Sequence, residues 1–362
     1  MTTNTAAKMT AGQKTNRRTF IKAGAATAAS VTLAGFPSIL RAQAPIELKI
    51  SHYVPALHGL QTDFIEPWAK EIEKRSNGRV THKIFAGASP LGKAENQLDQ
   101  VQNGIVDVAF GLSGNPRGRL SRSLIVEMPF LIETAEQGTR TLMSAYPKYL
   151  KEEYKGLKVL CLLTHNAGHI HTRDKKVEKL EDLVGLRLRT PSPTVSAMLT
   201  QLGAVPVGMP PGAAYEQIQK GVIDGACFPW DPVRAFKIDE VTKFHTVASF
   251  YTAAFWFGMN EKKYNALPAE VKKIIDDVSG EYLASRMQGW WDKWDAAGRA
   301  AAVARNNTII TLNPAERKRW ADALIPTYNK VMIEYEGQGI KNAREIYIEM
   351  QRAAAKFAPK KA

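Results

Sequence analysis

QVQNGIVDVAFG, residues 100–111, and QIQKGVIDGACF, residues 217–228, are two copies of one pattern in the same chain. In each copy a stretch with helical spacing ends at a glycine, Gly104 or Gly221, and a short apolar strand follows. In an open α/β sheet, the residues after such a strand reach the carboxyl edge, where ligands bind. Two copies therefore predict two α/β lobes whose strand ends face a common cleft.

Alternating strand and helix patterns surround both copies. Strand patterns precede and separate the copies at residues 46–50, 80–85, 157–164 and 186–189, and helical patterns lie at 64–75 and 194–202. From residue 269 to 306, apolar residues recur at spacings of three and four, which predicts one very long or kinked helix that braces both lobes. Helices at 314–335 and 343–358 are expected to close the chain.

The composition is that of a globular protein with a basic surface. Of 362 residues, 44% are hydrophobic and 23% charged, which is enough apolar material for packed cores. The formal net charge is +14, and residues 1–44 contribute six positive charges and no acid, leaving +8 for the rest. These charges form no basic block and no nucleic-acid module, so we expect an anionic small molecule as partner and no nucleic acid.

The N-terminus has the features of an export signal. Residues 16–22, NRRTFIK, resemble the twin-arginine motif, a weakly apolar run follows from 23 to 40, and AQA at 42–44 is typical of a cleavage site. Residues 1–44 are thus predicted to be a twin-arginine signal peptide, and the mature chain to lie in the periplasm. A retained membrane anchor is the alternative. In that oxidising compartment Cys161 and Cys227 either form a disulfide or stay buried thiols.

Signatures of catalysis and of cofactor binding are absent from the sequence. No G-x-S-x-G, P-loop, dinucleotide-binding glycine pattern, H-E-x-x-H or metal-spaced cysteine pair occurs, so we expect neither an enzyme nor a cofactor. His165, His169 and His171 could offer three imidazoles to zinc, but no acid lies at ligand spacing. Hydrogen bonding in the cleft wall is the favoured interpretation of these histidines.

Arg189 is the strongest candidate for a ligand-binding residue. Arg187 and Arg189 lie on the same side of a strand, and Arg189 is its last position before Thr190-Pro191. A guanidinium at that edge suits a bidentate grip on a carboxylate. The alternative is a solvated arginine at a strand end.

Other cleft candidates follow from their position after predicted strands. Phe228 and Trp230 stand on a loop with two prolines and are expected to form an aromatic wall, unless they pack in a hinge or core. Glycine at 111 would let a ligand approach the backbone closely. The remaining candidates are Tyr53 and His58 after the first strand, and Leu112 after the first copy.

Several stretches in order resemble the substrate-binding proteins of TRAP transporters, of the DctP type. They are SHYVPALHGLQTDFIEPWAKEIEKRSNGRV at 51–80, FAGASPLGKAENQLDQVQNGIVDVAFG at 85–111, KLEDLVGLRLRTP at 179–191, and LGAVPVGMPPGAAYEQIQKGVIDGACFP at 202–229. The resemblance runs from about residue 46 to 350. It implies an α/β, two-lobed, type II-like periplasmic-binding-protein fold that closes over an organic acid and delivers it to a permease of small and large membrane subunits.

On this resemblance we expect a monomer with discontinuous lobes. The first lobe comprises residues 45–166 and about 254–293, the second comprises 167–253 and about 294–350, and 351–362 form a C-terminal tail. A receptor of the ABC type, which shares the fold and differs in partner, and a periplasmic enzyme on the same scaffold remain as alternatives.

The resemblance also bears on the ligand. In the family, the arginine that ends the G-L-K-L-R-x-P strand clamps the substrate carboxylate, and Arg189 stands there. Sialate-binding members have a second arginine at the position of His169 and an asparagine at that of Phe228. Cys227-Phe228 replaces their glutamate-asparagine pair, which favours a monocarboxylate with an apolar or aromatic body over a hydroxylated sugar acid.

Overall fold

The two copies of the repeated pattern supply strands to two different sheets. The computed structural model describes residues 45–359, and within them eleven strands form a five-stranded and a six-stranded sheet. The first copy contains all but the last residue of the third strand, Val108–Leu112, and the second copy contains the eighth strand, Gly225–Phe228. The strands are β1 Ile46–Ser51, β2 Val80–Phe85, β3 Val108–Leu112, β4 Leu157–Thr164, β5 Gly168–Thr172, β6 Arg187–Thr190, β7 Val205–Gly208, β8 Gly225–Phe228, β9 Phe244–Tyr251, β10 Ala254–Asn260 and β11 Thr308–Thr311.

The first sheet has the order β2-β1-β3-β10-β4. β1 pairs in parallel with β2 and β3, whereas β10 runs antiparallel between β3 and β4. The second sheet has the order β11-β9-β5-β8-β6-β7, with β6 parallel to β7 and β8. The chain passes between the sheets after β4 and returns after β9, so two short crossings lie next to the cleft. The predicted two-lobed α/β fold is therefore confirmed.

Helices cover both sheets. Two of the longer ones begin with capping chemistry: Ser192 Oγ accepts the Val195 N–H, and Asn313 Oδ1 accepts the Glu316 N–H, each with proline at the first helical position. The helices are α1 Glu66–Arg75, α2 Gln97–Gln102, α3 Ala135–Ala145, α4 Pro193–Gln201, α5 Ala214–Gln219, α6 Trp230–Ala235, α7 Glu261–Ala266, α8 Ala269–Asp277, α9 Glu281–Ala284, α10 Met287–Ala304, α11 Pro314–Gly337 and α12 Ala343–Lys356.

The helix expected over residues 269–306 consists of three helices in a row, α8, α9 and α10. The first break is at Gly280, whose φ of 57° is incompatible with a right-handed helix. Its N–H donates instead to the Leu160 carbonyl of β4, at 2.7 Å. The last of the three, α10, packs against both α3 and α6, which are attached to different sheets. The bracing role thus falls to eighteen residues of α10.

The C-terminal helices differ from the predicted lobe boundary beyond about residue 330. Trp320 and Leu324 of α11 pack in the core of the second sheet. Tyr335 near the end of α11, however, packs in the core of the first sheet, and so do Ile346 and Met350 of α12, which folds back onto α3. Residues expected to begin a tail at 351 continue this helix to Lys356.

The two cysteines do not form a disulfide. Cys161 in β4 and Cys227 in β8 are both buried free thiols, in different sheets, and burial raises the pKa of Cys227 to about 12. Along residues 45–359, no helix combines the length and the apolar character that a membrane span needs. The predicted signal peptide, residues 1–44, lies outside the described residues.

Candidate functional site

Strand ends from both sheets converge on one pocket. The loop after β1 brings Tyr53 and His58, the end of β3 brings Leu112, the end of β6 brings Arg189, and the end of β8 brings Phe228. These five are all sequence-predicted candidates. The rest of the lining comes from the crossings between the sheets and from helices and loops: Val54, Leu60, Phe110, His165, Pro191, Pro211, Pro229, Asp231, Pro232, Phe236, Tyr251, Ala253, Phe255, Trp291 and Trp294.

Arg189 is a buried cation without an acidic partner. Its side chain is held by two backbone carbonyls, with Nε 3.1 Å from Met209 O and Nη1 3.1 Å from Cys227 O. The guanidinium carbon lies 4.3 Å from the centroid of the Phe228 ring. The residue is 2% exposed, and burial lowers its pKa to about 10. Arg189 is thus no solvated strand-end arginine, and no carboxylate in residues 45–359 pairs with it.

Arg187, on the same strand as Arg189, is an arginine with an acidic partner. It is half-buried and forms two bonds with the Asp224 carboxylate, 2.7 Å from Nη2 and 3.0 Å from Nε. The Arg187 charge is paired with Asp224 near the surface. The Arg189 charge, in contrast, lies in the pocket lining with no counter-ion among the described residues. A buried charge in this state favours an anionic ligand.

Two tyrosine hydroxyls lie in the same pocket as the Arg189 charge. Burial raises the pKa of Tyr53 and of Tyr251, and the positive charge of Arg189 acts in the opposite direction on both. Neither hydroxyl bonds to another residue of the described chain. Both therefore remain neutral O–H groups that can donate to the anion that Arg189 attracts.

The walls of the pocket are aromatic. Tyr53 packs against Phe110 with ring centroids 5.8 Å apart, and Phe110 stacks on Phe255 at 5.5 Å. Phe255 in turn stacks on Trp291 of α10 at 6.2 Å. Such surfaces bind flat apolar groups, and they offer few hydrogen bonds to a ligand with many hydroxyls.

One wall of the pocket is closed by a contact between the loop after β1, on the first sheet, and helix α6, on the second sheet. His58 Nε2 lies 2.7 Å from Asp231 Oδ2, and the Leu60 N–H donates to His58 Nδ1 at 2.9 Å. Because Nδ1 accepts, Nε2 carries the proton and donates to Asp231. His58, Asp231 and Trp294 line both this pocket and a neighbouring outer cleft. These three side chains thus form the partition between the pocket and the outside.

His165 alone of the three clustered histidines lines the pocket. His171 and His245 join a chain of bonds in which Asn307 Nδ2 lies 3.1 Å from His245 Nε2, and His171 Nε2 lies 3.1 Å from Phe228 O. Since a carbonyl only accepts, His171 Nε2 carries its proton, and its Nδ1 accepts from His245 Nδ1 at 2.7 Å. This use of their nitrogens opposes a zinc site, and the described residues contain no cluster of three or more metal-ligating side chains.

Three predicted candidates lie outside the pocket lining. His169 is buried against Trp230, with ring centroids 5.6 Å apart, and Trp230 also contacts His171 and His245. Gly111 makes room for a side chain rather than for a ligand, since a Cβ there would lie 2.3 Å from Trp256. These contacts indicate that Gly111 and Trp230 shape the protein behind the pocket surface.

Sequence reasoning missed much of the aromatic and polar lining. In the sequence, Trp291 and Trp294 stand out only as members of a helical apolar stripe, and Tyr251 and Phe255 lie beside a crossing without any local motif. Asp231 has one usable signal, because it directly follows Phe228-Pro229-Trp230, which the sequence predicts to lie at the cleft.

The sequence matches a known family along most of its length. A model of the DctP family, described as bacterial extracellular solute-binding protein, family 7, matches residues 50–335. In sequence, the C4-dicarboxylate-binding periplasmic protein DctP of Vibrio cholerae is 26% identical over 268 residues, which are 72% of this chain and 79% of that protein.

Two solved structures share the fold closely. A TRAP solute-binding protein from Rhodoferax ferrireducens T118, in complex with copurified benzoate, gives a TM-score of 0.83 at 31% identity over 86% of this chain and 98% of that chain. A TRAP solute-binding protein from a marine metagenome, specific for aromatic acid ligands and co-crystallized with 3-hydroxybenzoate, gives 0.84 at 30% identity over 87% and 100%.

Proposed function

The chain belongs to the DctP family of bacterial extracellular solute-binding proteins, and we propose that it is a periplasmic receptor for an aromatic monocarboxylate. The observation that carries this proposal is the buried Arg189, which has no acidic partner among residues 45–359 and lies in a pocket walled by aromatic rings. We assign the ligand carboxylate to its guanidinium, with the hydroxyls of Tyr53 and Tyr251 as further donors.

The charge of the lining supports one carboxylate rather than two. Arg189 is the single lysine or arginine among the residues that line the pocket in the described chain. A second carboxylate would enter a low-dielectric aromatic region near the Asp231 side chain without a cation of its own, which is costly. This argument separates the chain from its relative in Vibrio cholerae, whose name gives C4-dicarboxylates.

The body of the ligand follows from the walls. Phe110, Phe228 and Phe255 line the pocket with aromatic rings, and aromatic pairs gain free energy beyond their buried area. The ligands named for the two similar structures, benzoate and 3-hydroxybenzoate, are of this kind. A sugar acid would leave most of its hydroxyls without partners against such walls.

Delivery completes the proposal. The lobes close over the acid and present it to a TRAP permease of small and large membrane subunits, after export by the twin-arginine route, with the receptor a monomer. The ABC-type alternative differs in its partner, so the finding of an adjacent gene pair for the two TRAP membrane subunits would support the present proposal over it. An enzyme on this scaffold would consume its ligand, whereas a receptor returns it unchanged.

The decisive experiment is calorimetry on the purified mature chain with matched ligands. We expect benzoate and phenylacetate to bind and to raise the unfolding temperature, because they bind only the folded state. Benzamide, the neutral isostere of benzoate, succinate and glucuronate serve as controls for charge, charge number and polarity. Tighter binding of succinate or glucuronate than of any aromatic acid, or chemical conversion of the bound acid, would overturn the proposal.

A further inference from the structure

Two residues that line the pocket each have a ring nitrogen that forms no hydrogen bond within the described chain, and neither nitrogen takes part in the contacts of Arg189. One is Trp291 Nε1, which is buried and unbonded on a residue 4% exposed. The other is Nε2 of His165, a residue 2% exposed whose only ring bond within the described chain is made by Nδ1. The two rings lie 5.9 Å apart between centroids and meet edge to face.

The proton of His165 can be assigned from its surroundings. Nδ1 bonds the backbone carbonyl of Asn166, and because a carbonyl only accepts, Nδ1 carries the hydrogen. Burial lowers the pKa of His165 to about 3, and the Arg189 charge acts in the same direction. The imidazole is therefore neutral, and Nε2 presents a lone pair, while the neighbouring Trp291 presents an N–H.

We propose that this pocket selects aromatic acids that carry a hydroxyl group, which donates to His165 Nε2 and accepts from Trp291 Nε1. A hydroxyl is a small neutral group whose single oxygen both donates and accepts. A second carboxylate would meet the His165 lone pair unfavourably, a ketone would satisfy only Trp291, and an ammonium group would be repelled by Arg189. The inference deepens the proposed function and rests on it.

Selection follows from the cost of leaving these atoms unpaired. A ligand with the hydroxyl gives both nitrogens a hydrogen-bond partner, whereas a ligand without it leaves Trp291 Nε1 unpaired and covers His165 Nε2 with no partner. Sites built to hydrogen-bond a hydroxyl discriminate strongly against analogues that lack it. His165 and Trp291 are thus specificity-determining residues, whereas Arg189 holds any carboxylate.

The test compares ligands that differ in one group. Calorimetry on the wild-type chain would measure benzoate, the three hydroxybenzoates and the three methoxybenzoates. We expect at least one hydroxy isomer to bind about tenfold tighter than benzoate, or more, and its methyl ether to lose that gain, because an ether cannot donate to His165. Equal affinities for benzoate and all hydroxy isomers would overturn the inference, as would a methyl ether that binds as tightly as its parent.

Variants then locate the effect. In His165→Phe and Trp291→Phe, the ratio between the affinities for the preferred hydroxy isomer and for benzoate should fall at least threefold, while benzoate still binds. His82→Phe, which replaces an imidazole outside the pocket, should leave the ratio unchanged. An unchanged ratio in both pocket variants overturns the assignment, and if either variant fails to fold, the ether comparison on the wild type decides. Failure of the proposed function looks different, since then no aromatic acid binds at all.

Discussion

His58 Nε2 donates to Asp231 Oδ2 across 2.7 Å, and this bond connects the loop after the first strand of one sheet to the first turn of a helix of the other. Both residues are buried. Asp231 is held in turn by its backbone N–H, which donates to Asp295 Oδ1 of α10 at 2.7 Å. Asp231 is therefore fixed to the bracing helix α10. For the partition to open, the bond between His58 Nε2 and Asp231 Oδ2 must break.

Removal of this acceptor should speed ligand release. In Asp231→Ala, His58 Nε2 loses its charged acceptor, a bond of about 1.5 to 3 kcal/mol, so we expect the dissociation rate to rise about tenfold or more. Stopped-flow fluorescence, with the pocket tryptophans as the signal, measures this rate. Asp322→Ala removes an exposed pair with Lys318 on α11 and is the matched control. A dissociation rate equal to that of the control would contradict the role of the partition.

Arg189 should matter for binding far more than for stability. Arg189→Met removes the one lysine or arginine that lines the pocket in the described part of the chain, and we expect the binding free energy to weaken by about 2 to 5 kcal/mol. The free energy of unfolding of the ligand-free chain should change by less than about 2 kcal/mol, because relief of the buried charge offsets the loss of two bonds to carbonyls. Calorimetry and denaturant titration measure the two quantities. Unchanged affinity for aromatic acids would exclude the clamp.

Gly111 should affect stability, contrary to the ligand-approach role that its position predicts. In Gly111→Ala the new Cβ would overlap the Trp256 indole, which is fully buried and cannot retreat. Overpacking of this kind destabilises by about 1 to 3 kcal/mol. Gly289→Ala is the matched control, since no atom lies near its Cβ within α10, and there alanine should stabilise by about 0.5 to 1 kcal/mol. Equal unfolding free energies for the two variants would contradict the prediction.

Buried histidines make the fold sensitive to acid. A histidine in the unfolded chain has a pKa near 6.5, whereas burial lowers the pKa of each of five histidines in the folded chain. Below pH 6.5 the unfolded chain therefore binds more protons than the folded chain, and the free energy of unfolding decreases as the pH is lowered. The five are His52, His169 and His245, with pKa values of about 4, His165, with about 3, and His171, well below 6.5.

Three buried acids act with the opposite sign. Burial raises the pKa of Glu127 to about 8 and those of Glu153 and Asp295 to about 7, so their contribution to stability is present at low pH and is lost as pH rises through 7 to 8. We expect the unfolding free energy to be maximal near pH 6.5 and about 2 kcal/mol lower at pH 5. Denaturant titrations at pH 5, 6.5 and 8 measure this. A steady increase from pH 5 to 8 would contradict the balance.

The fold could be predicted from the sequence because its signals are local. Twelve consecutive residues contain the pattern of a helix, a glycine and a buried strand, and its two copies, at 100–111 and 217–228, predict one sheet each. Likewise, Arg189 could be placed at the pocket because it ends a strand whose direction follows from the pattern.

The parts of the site that were missed depend on contacts between distant segments. Alternation along a strand places Phe228 and Trp230 on one side, but helix α6 begins at Trp230, so its ring turns toward His169 instead. The room left by Gly111 is filled by Trp256, from a strand that arrives almost 150 positions later. No single stretch of sequence contains that information.

Strand β10 has a consequence for the order in which the chain can mature during synthesis. It lies between β3 and β4, although nearly all of the second sheet is translated before it. A nascent chain that has reached residue 166 holds four of the five strands of its first sheet, yet β3 and β4 still lack the partner that pairs with both. Unpaired apolar strands of this kind invite aggregation. We therefore expect residues 45–166 expressed alone to be insoluble, and the growing chain to require chaperone protection until β10 has emerged from the ribosome.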